Sequence, residues 1–261
     1  TLPLLRAWSW AGQGDFDAAI KALEPLSKVA NFALIHDLHS ALILDLAGDT
    51  KAAEAAYLKA NKSQSTLRVV QALGSLYERT GRSTEAKALY EKFAADNSQT
   101  EVMDPPLARI RAGDKAAPMV ANAADGMAEV FYNLSNTLTR GRSIEHALIY
   151  GRLATYLRPD FAVGQMLLAG ILESLSREHE ANRIYDDISA SSALQWSAQL
   201  RKAANYNSMG DTAAAIDQLR QMADQRTSRS DALIRLGDLL RAKKRYKESI
   251  EAYSRALGRI M

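Results

Sequence analysis

The chain has 261 residues, of which 47% are hydrophobic and 24% charged; its net charge is +3 and it has no cysteine. This is an ordinary soluble composition, with chain enough for one large core or several small units. The lack of cysteine excludes disulfides, thiol catalysis and cysteine-ligated zinc. The weak, interspersed charge argues against a nucleic-acid partner, and no apolar run approaches the ~20 residues of a membrane span.

The start, TLPLLRAWSW, has neither the basic stretch nor the long apolar core of a signal peptide. It also lacks an initiator Met, as expected of a processed form or an excised fragment. With few prolines and glycines and much alanine, the chain favours helix. Four stretches share one pattern: GDFDAAIKAL (14–23), GDTKAAEAAY (48–57), GRSTEAKALY (81–90) and GDTAAAIDQL (210–219). Each opens on Gly, carries Ala five residues later, and has an apolar residue four further on. The small residue recurs at Ala19, Ala53, Ala86, Ala147, Ala181, Ala215 and Ser249, at spacings of 34, 33, 61, 34, 34 and 34.

Each unit reads as two helices. LRVVQALGSLYERT (67–80) carries a helical stripe through Val70, Leu73, Gly74 and Tyr77, and Gly81 ends it. STEAKALYEKFAA (83–95) carries a second through Ala86, Leu89, Tyr90 and Phe93. Small residues at Gly74 and Ala86 let the paired helices approach, and the large ones fill the space beside them. Tyr57, Tyr90, Tyr185 and Tyr253 share one second-helix slot, so they read as core. Ser176 and Lys244 stand where the other turns have glycine, and the turn at Gly141–Ser143 is shifted by one residue.

The period fails at EVMDPPLARIRAGDKAAPMV (101–120). Asp104–Pro105 predicts a helix start and Gly113 its end, giving a short helix near 105–112. Pro118 then forbids a normal second helix. The segment 98–124 is thus an irregular insertion or a decayed repeat, with Met119 and Val120 expected to be buried against the repeats or in their groove. The expected organisation is repeats 1–3 over 1–97, this segment, and repeats 4–7 over 125–261, in two blocks of altered mutual angle.

A period of 34 with this pattern resembles the tetratricopeptide repeat. ALIRLGDLLRAKKRYKESIEAYSRAL (232–257) is similar to it most closely. The resemblance implies an all-α, right-handed superhelical solenoid of about seven repeats, whose first helices line a concave groove that binds peptides or proteins. On that basis the groove candidates are Arg68, Gln71 and Arg79 of the third unit and Tyr132, Asn133, Asn136 and Arg140 of the fourth. They continue with Met166 and Leu167 of the fifth, Leu200, Arg201 and Asn207 of the sixth, and Arg235 and Arg241 of the seventh. Asn133 and Asn136 suit a peptide backbone. Arg140, Arg201 and Arg235 suit a carboxylate, and Met166, Leu167 and Leu200 an apolar side chain.

Neither GxSxG nor GxxxxGK[ST] occurs, and the histidine pair His36 and His39 lacks a full ligand set. No enzyme activity, cofactor or metal is therefore expected. The basic run RAKKRYK (241–247) reads as a solvated turn. The expected role is a non-catalytic scaffold for a protein or peptide partner, with self-association through the exposed terminal repeats a further expectation. PLLRAWSWAGQG (3–14), GMAEVFYNLS (126–135) and YLRPDFAVGQMLLAGILE (156–173) resemble segments of long exported bacterial repeat proteins. That resemblance implies a cell-envelope location, flanking repeats, and as the alternative role an adaptor of an envelope enzyme such as a carboxyl-terminal processing protease.

Overall fold

The computed structural model describes residues 2–29, 32–97, 100–139 and 143–260. Among them are 15 α-helices and no strand. Repeats 1–3 are the pairs α1 (Leu2–Gly12) and α2 (Phe16–Ser27), α3 (Ala33–Leu46) and α4 (Thr50–Ser63), and α5 (Leu67–Arg79) and α6 (Ser83–Asp96). A 3-10 turn (Thr100–Met103) and α7 (Asp104–Ala112) follow. Repeat 4 is α8 (Ala123–Thr139) with α9 (Ile144–Leu157), and repeat 5 is α10 (Ala162–Ser174) with α11 (Glu178–Asp186). Repeats 6 and 7 are α12 (Gln195–Ser208) with α13 (Thr212–Gln225) and α14 (Asp231–Ala242) with α15 (Tyr246–Leu257).

The recurring Gly–Asp step is a two-part turn. Gly14, Gly48 and Gly210 end the first helix at φ of 81°, 84° and 87°, where a Cβ is disfavoured. Asp15, Asp49 and Asp211 then cap the second helix by accepting from the backbone N–H of Ala18, Ala52 and Ala214. Ser176 and Lys244 keep the same turn without glycine, at φ of 55° and 60°. The shifted turn of repeat 4 involves Gly141 and Arg142, which lie outside the described residues.

The small slots do what their pattern predicts. A Cβ on Gly74 would stand 2.3 Å from the Tyr90 ring, and one on Gly237 2.6 Å from that of Tyr253. Ser135 and Ser249 fill the slot with a hydroxyl that donates across the helix pair, to the carbonyls of Ala147 and Gly237 at 2.8 and 2.9 Å. The slot tyrosines also have a polar task. Their hydroxyls donate to first-helix carboxylates, Tyr57 to Asp45, Tyr90 to Glu78, Tyr185 to Glu173 and Tyr253 to Asp238. Burial, followed by these carboxylates, pushes the Tyr57 and Tyr90 hydroxyls well above their ordinary pKa.

The helix expected near 105–112 is present, beginning at Asp104 with Pro105 and Pro106 in its first turn and ending on Gly113 at φ 76°. Residue 103, not Asp104, occupies the cap position, and no side chain caps the helix. Residues 114–122 are non-helical, and α8 packs against α1 and α3. The chain divides into compact units at Gly164 and Gln165, so 98–124 lies wholly within the first. The physical reason is that Met119, Val120 and Val130 belong to the same buried cluster as Leu4, Trp8, Leu38, Leu42 and Leu73 of repeats 1–3. In the second unit, Trp196, Leu200, Ile216, Leu219, Leu233 and Leu236 form the core of repeats 6 and 7.

Candidate functional site

In the first unit, α1, α3 and α5 form the face on which the resemblance places a groove. Its expected members are engaged within the chain. Arg68 grips Glu129 of α8 with two guanidinium nitrogens, Nε donating to Oε2 at 3.1 Å and Nη2 to Oε1, while Nη1 donates to Gln71 at 2.7 Å. The Glu129 side chain is 0% exposed and that of Arg68 12%. Phe161 lies between two cations, 5.0 Å from Arg68 and 5.3 Å from Arg158, and meets the Tyr132 ring edge-on at 5.4 Å. Burial raises the Tyr132 hydroxyl pKa.

Asn133 reaches His39 at 3.3 Å. His39 is fully buried, and Trp8 Nε1–H donates to its Nδ1 at 3.1 Å. Because indole only donates, Nδ1 accepts and Nε2 carries the proton; Asn133 Nδ2 is the atom at 3.3 Å, and the amide turned over would bring its oxygen there to accept that proton. Desolvation lowers the His39 pKa to about 3, so the ring is neutral. His36 instead pairs with Asp37 at 2.8 Å, as does Lys59. Among the described residues, no three His, Cys, Asp or Glu side chains are grouped to hold a metal ion. Asn136 is half-buried on α8, and Arg140 lies outside the described residues.

Three of the expected groove arginines, of which Arg201 alone was read as a carboxylate partner, have carboxylates of the chain's own. Arg79 Nη2 donates to both oxygens of Asp45 at 2.8 and 2.7 Å. Arg201 stands 3.3 Å from Glu173, and Arg241 3.3 Å from Asp238. Arg109 on α7 completes the series, with Nε and Nη2 each donating to Glu78 at 2.8 Å. Asp45, Glu78 and Glu173 thus each join a second-helix tyrosine to an arginine further along the chain. The sequence signal for this was an acid 12 residues before Tyr57, Tyr90 and Tyr185; only the arginine partner required the structure.

The second unit brings three of the expected residues together. Leu200, Asn207 and Arg235 line one pocket of about 350 Å³ with Ala203, Ala204, Leu219, Asp238, Leu239 and Ala242, between α12 and α14. Leu200 is only 5% exposed and belongs to the core as well as to the pocket wall. Asn207 spends its side-chain oxygen on the Thr212 hydroxyl at 3.2 Å. Asp238 accepts from Tyr253 at 2.7 Å besides Arg241, whereas Arg235 is exposed and pairs with no acid among the described residues. Met166 and Leu167 are half-buried on α10 and do not line this pocket. The sequence reading passed over Leu239, whose contribution depends on the α12–α14 juxtaposition.

Among the described residues no helix is long and apolar enough to cross a membrane. No curated protein matches the chain. Among solved structures, it is similar to that of MamA (16% identity, 72% of this chain and 94% of that one, TM-score 0.44). A second is a tetratricopeptide repeat protein from Parabacteroides merdae (12% identity, 98% and 91% coverage, TM-score 0.39). A third is YrrB, described as a TPR protein with an unusual peptide-binding site (16% identity, 78% and 92% coverage, TM-score 0.35). One tetratricopeptide-repeat family model matches residues 4–66 and 200–260, and another matches 67–94, together more than half of the chain. With its helix pairs, 34-residue period and Gly–Asp turns, the chain belongs to the tetratricopeptide-repeat family.

Proposed function

We propose that this chain is a non-catalytic protein-interaction scaffold, and that the pocket between α12 and α14 takes an apolar side chain of a peptide that also carries a carboxylate. The observation that supports this reading most is the pocket's division of labour. Leu200, Ala203, Leu219 and Leu239 supply apolar wall, and Arg235 stands at the same pocket exposed and without an acidic partner among the described residues. A volume of about 350 Å³ is at the small end of ligand pockets, the right order for one large aliphatic or aromatic side chain. The carboxylate is assigned to Arg235 because Arg201 and Arg241 are already paired, and an arginine fork matches a carboxylate in geometry and charge.

The test uses fluorescently labelled peptides ending in Leu or Phe, with a free or an amidated C-terminus, titrated against the 261-residue protein by anisotropy. The free-acid peptide binds, the amidated one loses about tenfold or more, and Arg235→Gln removes that difference, since a charge-assisted hydrogen bond contributes about 1.5–3 kcal/mol. Ala204→Leu, which fills the pocket, abolishes binding. Affinity indifferent to both substitutions would refute the assignment.

A further inference from the structure

We infer that the face formed by α1, α3 and α5 is a second peptide-binding site, filled by the chain's own residues 115–121 as a built-in ligand. This site is separate from the pocket of repeats 6 and 7 and does not rest on the function proposed for it.

Residues 114–122 contribute no helix or strand, yet they are held closely. Main-chain carbonyls of the segment are taken by side chains of the repeats. Ser75 Oγ on α5 donates to the Ala117 carbonyl at 2.7 Å, and Arg158 Nη1 donates to the Met119 carbonyl at 3.0 Å. Side-chain donors aimed at alternate carbonyls, here those of Ala117 and Met119, are how a groove reads an extended peptide without depending on its sequence. Selectivity comes from what is buried between them. Ala116, Met119 and Val120 are each less than a tenth exposed, and Met119 and Val120 join the cluster of Trp8, Leu38, Leu42 and Leu73. Pro118 adds order. It fixes its own φ and biases Ala117 toward extended backbone, so the segment loses little conformational freedom on docking.

The far end is fastened to α8. The Asn122 side chain accepts from Asp125 N–H at 2.9 Å, and Asp125 accepts from Ala121 N–H at 2.9 Å. The ligand class follows from the contacts: an extended peptide of the pattern small, small, Pro, Met or similar, β-branched apolar. A tethered ligand acts at an effective concentration in about the millimolar range. A free peptide of micromolar affinity is therefore excluded until residues 115–121 leave the face, and external partners are directed elsewhere.

The experiment uses a labelled peptide with the sequence of residues 113–122, blocked at both ends, and the full chain. Wild type binds it weakly or not at all. Met119→Ser combined with Val120→Ser weakens the tethered copy, and the free peptide then binds more than about tenfold tighter than to wild type. Adding Ser75→Val reduces that binding severalfold. Should the double variant lose its cooperative unfolding transition, Met119→Ala, which removes packing without adding polarity, serves instead and gives an intermediate gain. A folded variant that binds the peptide no better than wild type overturns the proposal, as does wild type binding it equally well.

Discussion

The contact that fastens repeat 4 to repeats 1–3 can be broken at one carboxylate. Glu129 is completely buried, and the guanidinium that grips it is 12% exposed, so both charges have left most of their water. Glu129→Gln removes the negative charge while preserving shape. It leaves Arg68 with Gln71 and the Phe161 ring, and with a second cation close by, since Arg158 Nη1 lies only 3.9 Å from Glu129. Removing one partner of a buried pair costs about 3–5 kcal/mol. The retained Gln71 bond and the partial exposure of both arginines lower this to about 2–4 kcal/mol. In a unit of this size each kcal/mol is worth about 2–4 °C in Tm, so a loss of about 5–15 °C is expected. Urea and thermal unfolding followed by tryptophan fluorescence measure it. Trp196→Phe in the background leaves Trp8 and Trp10, both in the first unit, as the reporters. Arg68→Met with Glu129→Leu, which removes both charges, restores most of the loss. A Glu129→Gln loss under about 1 kcal/mol, or a double variant less stable than either single one, would refute this account of how the helix is held.

Two further outcomes follow from single residues. Gly74→Ala sets a Cβ 2.3 Å from the Tyr90 ring, which is held in place by its bond to Glu78. Overpacking of about 1–3 kcal/mol outweighs the ~1 kcal/mol gain in helix propensity, and chemical denaturation of the variant should show a net loss. His39 makes the first unit acid-sensitive. The unfolded imidazole takes up a proton below about 6.5, whereas burial lowers the folded pKa to about 3. Between these values the unfolded state binds more protons, so stability is complete above pH 6.5 and falls as the pH is lowered toward 3. At pH 5 this amounts to about 2 kcal/mol. His39→Gln should flatten that part of the stability–pH curve, and an unchanged slope would count against the buried neutral ring.

Most of what the sequence revealed lies within one repeat. The Gly–Asp turns, the small slots at Gly74 and Gly237, and the tyrosines that lie over them are local contacts, and their recurrence makes them visible. The left-handed turns at Ser176 and Lys244 show that register carries the geometry even where the residue type departs from it. The candidate site was legible in part. Leu200, Asn207 and Arg235 do share a pocket, because equivalent positions on neighbouring first helices face the same way. Arg201 reads from the sequence as a carboxylate partner, and it, Arg79 and Arg241 do meet carboxylates, but Glu173, Asp45 and Asp238 belong to the chain. Charge type is readable from a residue; its partner depends on which helix is laid beside it.

The sequence by itself determined the helix pairs, their turns and the family, because each depends on residues a few positions apart and is repeated every 34. Only the tertiary structure decided where residues 115–121 and α8 go. Arg68 and Glu129 are separated by 61 positions, and Asn133 and His39 by 94. No periodicity links such pairs; they meet because burying Met119, Val120 and Val130 against Trp8 and Leu42 satisfies an apolar face that the first three repeats leave open.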